Sequence, residues 1–84
     1  MAYRISYKKS VGKDLAPLPK AEARRVLGKI EKELTARPNT CPPLKGQFAG
    51  LRRLRVGAYR VIFVVQGDEV LVLRIGHRRD VYER

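Results

Sequence analysis

The residues best suited to chemistry in this chain lie in two strand-like segments of its second half. These segments read GAYRVIF at residues 57–63 and RIGHRRDVY at residues 74–82. They carry arginines such as Arg60 and Arg78, together with the imidazole of His77 and the phenol of Tyr82. A guanidinium group binds two phosphate oxygens at once, and imidazole titrates near neutral pH. This combination is suited to binding a phosphodiester and to cleaving it.

Cleavage of RNA without a metal proceeds by attack of the ribose 2′-OH on the adjacent phosphorus. The reaction needs a group that takes the 2′ proton, cations that stabilise the phosphorane charge, and a donor for the 5′ oxygen. The arginines supply the cations, and His77 or Tyr82 is a candidate for moving protons. Because DNA lacks the 2′-OH, this chemistry is specific to RNA.

The charge of the chain points to an acidic partner. The 84 residues carry a net charge of +11, and the stretch from Leu34 to Gly67 contains no Asp or Glu but six basic residues. Nucleic acid, an acidic protein or an anionic membrane surface would each suit such a field. The plain alternative is a basic surface that only keeps the protein soluble.

Other classes of function have little support. The single cysteine, Cys41, forms no intramolecular disulfide or zinc site, and His77 is the only histidine. We therefore expect no metal and no cofactor. No apolar run approaches the length of a membrane span, and the N-terminal residues lack the apolar core of a signal peptide. We expect one cytoplasmic domain over residues 1–84 that does not bind a membrane.

The pattern of apolar residues predicts six elements that must position these groups. Alternation predicts a strand over 2–7 and further strands over 51–56, 59–66 and 70–75, whereas helical spacing predicts helices over 8–16 and 20–36. Short turns at 57–58 and 67–68 indicate an antiparallel meander. The order β-α-α-β-β-β predicts an α+β domain, a four-stranded antiparallel sheet with an N-terminal helical hairpin on one face.

The opposite face of this sheet carries the basic residues. Alternation places Leu51, Arg53 and Arg55 on one side of their strand and Arg52 and Leu54 on the other. That face is either simply solvated, as antiparallel sheets permit, or a groove for a polyanion. Arg60 has a plain alternative role as well, which is a cross-strand ion pair with Asp80, Glu69 or Glu83.

The second half of the chain resembles the RelE branch of the RelE/ParE toxin superfamily. The resemblance rests on four segments and, through length and element order, covers essentially the whole chain: PLKG at 43–46, LRRLRVG at 51–57, YRVIF at 59–63 and IGHRRDVY at 75–82. It implies a toxin of a type II toxin–antitoxin module that cuts mRNA on the ribosome. It also implies a cognate antitoxin with an acidic C-terminal segment as partner, and contact with DNA only through the toxin–antitoxin complex.

The resemblance also assigns roles to residues. Arg60 matches an arginine that stabilises the phosphate, Arg78 one that stabilises the transition state and protonates the leaving group, and Tyr82 a tyrosine that orients or stacks the substrate. Arg53 falls where some members carry a lysine base. The predicted catalytic residues are thus Arg53, Arg60, His77, Arg78 and Tyr82, and the predicted substrate-binding residues are Lys45, Arg52, Arg55 and Arg79.

Arginine does not deprotonate in proteins, so Arg53 is poorly suited to act as the base. His77 or Tyr82 would take that role, or the ribosome would make a base dispensable by arranging the nucleotides. Two other functions remain open. One is a ParE-like toxin that inhibits DNA gyrase and cuts nothing, and the other is a module that only binds RNA or protein.

Overall fold

The chain folds into the predicted order of elements. A computed structural model describes residues 2–46 and 49–77. They form strands β1 (Arg4–Tyr7), β2 (Arg52–Val56), β3 (Tyr59–Gln66) and β4 (Glu69–His77), helices α1 (Val11–Leu15) and α2 (Lys20–Leu34), and one 3₁₀ turn (Pro38–Thr40). Each element overlaps its predicted range, and β3 has the predicted bounds. Within the described ranges no helix is long and apolar enough to cross a membrane.

The four strands form one mixed sheet in the order β1-β4-β3-β2. Strands β2, β3 and β4 pair as the predicted antiparallel meander. Strand β1 runs parallel to β4, with Ile5 opposite Val70, so the prediction of an entirely antiparallel sheet is wrong at this edge. The two-residue turns determine strand direction only within the meander. In the sequence, the two helices connect β1 to the meander. A connection that contains helices is long enough to permit parallel pairing.

The core lies between the helices and one face of the sheet. Val26, Ile30 and Leu34 of α2 are fully buried, as expected for apolar residues spaced three and four apart. They pack with Val11 of α1 and with a set of sheet residues that share one face: Val56, Val61, Phe63, Val70, Val72 and Ile75. The predicted helical hairpin on one face is therefore confirmed.

Two glycine turns fix the register of the meander. Gly57 and Gly67 have φ values of 61° and 64°, and each is the first residue of a two-residue turn. This left-handed backbone is the one that a type II′ hairpin turn requires at that position, and glycine adopts it without steric conflict. Because the register is fixed, the side chains that share a face are fixed too.

A bulge in β4 changes which residues face the core. The register pairs Phe63 with Val72 but Ile62 with Arg74, so Leu73 is an extra residue on β4. A bulged strand shifts its alternation by one residue. As a result Ile75 points into the core, where it is 1% exposed, and Arg74 belongs to the opposite face.

Candidate functional site

The sheet gathers four arginines on the face that the helices leave uncovered. Directly opposed residues of an antiparallel pair share a face. Arg53 lies opposite Ile62, and Ile62 lies opposite Arg74 on its other side. Arg55 lies opposite Arg60. We call the surface formed by Arg53, Arg55, Arg60 and Arg74 the arginine face. It draws on three adjacent strands, and it brings Arg60 together with Arg53 and Arg55, which alternation had placed on one side of β2.

A small apolar cluster lies beneath the arginines. Ile62 is 5% exposed and packs with Leu44 and Leu51. The segment that carries Leu44 is attached to the edge of the sheet because the Leu44 N–H donates to the Leu51 carbonyl at 2.9 Å. The exposed Lys45 follows directly. The predicted substrate-binding residue Lys45 is thus placed beside the edge strand, next to the arginine face.

The face contains a like-charged pair at its centre. Arg55 and Arg60 are directly opposed on β2 and β3, an arrangement that destabilises a sheet when nothing anionic lies between the two groups. On the other side of Arg60 the opposed residue is Gly76, which has no side chain. Two guanidinium groups beside a bare backbone position are well arranged for a bound phosphate.

Glu69 is too far along the sheet to neutralise this pair. It pairs with Gln66, six positions along β3 from Arg60, which corresponds to about 20 Å. Its carboxylate instead accepts a hydrogen bond from the hydroxyl of Ser6. Of the acids proposed to pair with Arg60, Glu69 is therefore excluded, and Asp80 and Glu83 lie outside the described residues.

Arg52 and His77 lie on the helix-covered side of the sheet rather than on the arginine face. Arg52 is opposite Phe63 of the core, and its Nη1 donates to the Cys41 carbonyl at 2.7 Å. This contact holds the loop before β2, so the geometry gives Arg52 an anchoring role, and its contact with substrate remains a prediction. His77 is opposite Tyr59.

The imidazole of His77 is exposed and lies beside Tyr59, on the side of the sheet away from the arginines. The rings of Tyr59 and His77 meet edge to face, with centroids 6.1 Å apart. His77 lines a cleft of about 510 Å³ together with Asp14 and Leu18 of the helical hairpin. The structure does not bring His77 together with Arg53 and Arg60, and its catalytic role remains a prediction. The predicted residues Arg78, Arg79 and Tyr82 lie outside the described residues.

Sequence reasoning missed Arg74 as a member of the site. A regular strand would alternate from Val70 and Val72 to place Arg74 on the core side. The sequence did carry a signal of the bulge. After Val70 and Val72, alternation calls for an apolar residue at position 74, but that position is arginine and the apolar residue follows at Ile75. That break in period two is the mark of a bulge.

Neither Tyr7 nor Cys41 provides a base or a nucleophile near neutral pH, because the pKa of each is raised. Burial, the charge of Glu31 and a 3.3 Å hydrogen bond to its carboxylate raise the pKa of Tyr7 to about 12. The pKa of the Cys41 thiol is also raised. Burial is the largest cause, the charge of nearby Arg52 opposes it, and the charge of Glu33 adds to it. Among residues 2–46 and 49–77 no three His, Cys, Asp or Glu side chains cluster in a way that could hold a metal ion.

Comparison with known proteins gives a consistent set of matches. The sequence model of the ParE toxin of the type II toxin–antitoxin system parDE matches residues 5–82. The toxin RelG of Mycobacterium tuberculosis is 29% identical over 87 residues, with all of both chains covered.

Two solved structures extend these matches. The RelBE2 toxin–antitoxin complex of M. tuberculosis matches with a TM-score of 0.86 and 26% identity, over 95% of each chain. The archaeal RelE–RelB complex of Pyrococcus horikoshii matches with a TM-score of 0.69 and 34% identity, over 96% of this chain and all of the other.

Proposed function

The chain belongs to the ParE toxin family of type II toxin–antitoxin systems, within the RelE/ParE superfamily, and we propose that it is a ribosome-dependent mRNA endonuclease. The observation that carries the proposal is the arginine face, where Arg53, Arg55, Arg60 and Arg74 converge from three strands over a buried apolar base. Such a face stabilises a phosphate whose charge increases during reaction. We place this activity in the cytoplasm.

In the proposed reaction the mRNA backbone lies across this face. Arg60 and Arg53 hold the scissile phosphate, and Arg55 and Arg74 contact the phosphates beside it. The ribose 2′ oxygen bonds to phosphorus, the bond from phosphorus to the 5′ oxygen breaks, and the products are a 2′,3′-cyclic phosphate and a 5′-hydroxyl. The arginines balance the added negative charge of the phosphorane. Arg78 and Tyr82 keep the roles that the family resemblance implies for them.

The proton acceptor for the 2′-OH does not come from the arginine face. Arg53 stays protonated, and His77 packs on the other side of the sheet. We infer that the ribosome supplies the alignment that makes a strong base unnecessary, so that solvent water accepts the 2′ proton. Holding reacting groups in an attack geometry can lower the barrier by about 7–11 kcal/mol. A general base typically accelerates a reaction by about 10²–10⁴, which corresponds to only about 3–5 kcal/mol.

We further propose that a cognate antitoxin with an acidic segment neutralises the toxin by covering the arginine face. The matched RelBE2 and RelE–RelB structures are toxin–antitoxin complexes. A chain with net charge +11 attracts an acidic partner over long range, and this attraction weakens with salt. DNA would then be contacted through the complex and not by the toxin alone.

Primer extension on a translated message tests the proposal. Induction of the wild-type chain should produce cleavage sites within the reading frame, and Arg60→Ala should reduce cleavage at least ~100-fold, as expected when one charged transition-state contact is lost. Arg4→Ala is the matched control, because Arg4 is exposed and pairs only with Asp68 at the far end of the sheet. Purified RNA without ribosomes should be cut poorly. Equal cleavage by Arg60→Ala and wild type would refute the proposed site.

A second function is favoured by one observation, namely that the matching family model describes a ParE toxin. A ParE-like toxin would inhibit DNA gyrase and leave mRNA intact. Gyrase inhibition with DNA damage, without new 5′ ends in translated messages, would support this alternative. A chain that binds RNA or protein without either effect would match the third possibility, a binding module.

A further inference from the structure

A second basic region lies between helix α2 and the turn that joins β2 to β3. It is a cleft of about 280 Å³, which we call the α2 cleft. Its lining includes four cationic side chains and two glycines: Arg25, Lys29, Lys32, Arg55, Gly28 and Gly57. Arg25, Lys29 and Lys32 follow one another at helical spacings of four and three, so they project from one side of α2 over about 10 Å.

Intramolecular acids neutralise this cleft only weakly. Arg25 pairs with Glu22 at 3.5 Å and Lys29 with Glu33 at 3.8 Å, and Glu33 is shared with Arg37 at 3.5 Å. Two acids thus face the four cations that line the cleft, and one of them, Glu33, is also paired with Arg37 outside it. The cleft therefore keeps a positive field in the folded protein.

The two glycines of the cleft differ in what lies against their backbone. Gly28 lies in the interior of α2, where glycine is the least favourable residue after proline. A Cβ at Gly28 would meet no atom within 4 Å beyond the backbone of its own helix, so internal packing does not explain the glycine. Across the cleft, a Cβ at Gly57 would approach the Arg25 guanidinium to 3.0 Å. The Arg25 side chain therefore lies against the main chain at Gly57, whereas the main chain at Gly28 admits a close approach by a ligand.

We propose that the α2 cleft binds the phosphodiester backbone of a folded RNA, at a segment separate from the strand held on the arginine face. This proposal rests on the proposed function and deepens it. Arg55 joins the two surfaces, because it lies opposite Arg60 on the arginine face and also lines the cleft. A polyanion that extends from the arginine face to the α2 cleft can therefore remain close to cationic side chains along its whole path.

The lining favours a phosphate chain over an acidic protein segment. A bound protein helix or strand needs apolar pockets for its anchoring side chains. Val56 is the one apolar side chain that lines the cleft within the described residues, and it is only 5% exposed. Guanidinium and ammonium groups over bare backbone suit phosphates, which need no apolar anchor.

The test measures binding of the full-length chain to a short blunt RNA duplex by fluorescence anisotropy at several salt concentrations. The double variant Lys29→Gln/Lys32→Gln should bind at least ~10-fold more weakly at low salt. The negative slope of log K against log salt should become shallower by about 1.5, since each of the two lost phosphate contacts contributes about 0.7–0.9 to its magnitude. Lys8→Gln/Lys9→Gln is the matched control, because it removes the same charge from exposed positions outside the cleft.

Gly28→Ala provides a second variant that separates binding from folding. Alanine should stabilise α2 and raise the unfolding midpoint by about 4–8 °C. The added methyl group should nevertheless weaken duplex binding several-fold, because it narrows the approach to the helix backbone. A variant that is more stable and yet binds more weakly cannot be explained by damage to the fold.

Three results would overturn the proposal. The first is an equal loss of duplex binding in the matched control, which would indicate only long-range charge. The second is unchanged duplex binding and salt slope in both cleft variants. The third is a loss of binding to an acidic antitoxin peptide with no change in duplex binding, which would make an acidic protein the occupant. Because the assay involves no cleavage, its outcome is independent of whether the chain cuts mRNA.

Discussion

The carboxylate of Asp14 holds the end of the strand that delivers Arg74. Strand β1 pairs with β4 only over Glu69–Val72, and its last contact is the Lys8 N–H donating to the Val72 carbonyl at 2.9 Å. Beyond the bulge, Oδ2 of Asp14 accepts a hydrogen bond from the Ile75 N–H at 2.9 Å. A side chain of α1 thus takes the place of a neighbouring strand.

The effect of Asp14→Ala follows from this single contact. A hydrogen bond to a charged group contributes about 1.5–3 kcal/mol, so we expect the free energy of unfolding to fall by about 2 kcal/mol. In a domain of this size that is a substantial part of the total, and it corresponds to a decrease in Tm of about 8–16 °C. Asp14→Asn keeps an oxygen acceptor and should lose about half as much.

Two measurements test the role of Asp14. Denaturant unfolding gives the global effect, and hydrogen exchange of the Ile75 amide gives the local one, where about 2 kcal/mol corresponds to exchange roughly 30-fold faster. Asp68→Ala is the control, because Asp68 is an exposed acid whose ion pair with Arg4 lies in water. The reasoning is refuted if Asp14→Ala and Asp14→Asn are equally stable, or if the Ile75 amide exchanges no faster in Asp14→Ala.

Two further predictions concern single side chains. Arg74→Ala should weaken binding of single-stranded RNA and reduce the salt slope by about 0.7, measured by anisotropy against Arg4→Ala; an unchanged slope would remove Arg74 from the arginine face. Tyr7 has its pKa raised to about 12 in the folded chain, so the folded state holds this proton more tightly than the unfolded state does. Stability should therefore fall as pH rises from about 10 to 12, and Tyr7→Phe should show a smaller loss in alkaline denaturation; an identical pH dependence in the two proteins would contradict the assigned cause.

Local patterns were enough to predict the elements and most of the arginine face. The spacing of Val26, Ile30 and Leu34 identifies the buried side of α2, and alternation in β2 places Arg53 and Arg55 together. Both signals depend only on the geometry of one element. The turn at Gly57 then aligns β2 with β3, which brings Arg60 opposite Arg55.

Features that depend on several elements at once could not be predicted in this way. The direction of β1 depends on how the helical hairpin crosses the sheet. The spacing of apolar residues within one element carries no information about that crossing. The side taken by His77 depends on its partner in another strand, Tyr59. Arg74 was missed because a one-residue bulge reverses the face of every residue after it.

The composition of the arginine face limits what the chain can do alone. Its central side chains within the described residues are guanidinium groups and the aliphatic residues beneath them, so it stabilises negative charge but accepts no proton. Charge stabilisation of this kind acts on any backbone phosphate and carries no sequence information. In the proposed function, selectivity for translated mRNA would therefore come from where the chain docks. A second phosphate-binding cleft, connected to the arginine face through Arg55, would fix its orientation on a folded RNA and present the arginine face to one phosphate of the message.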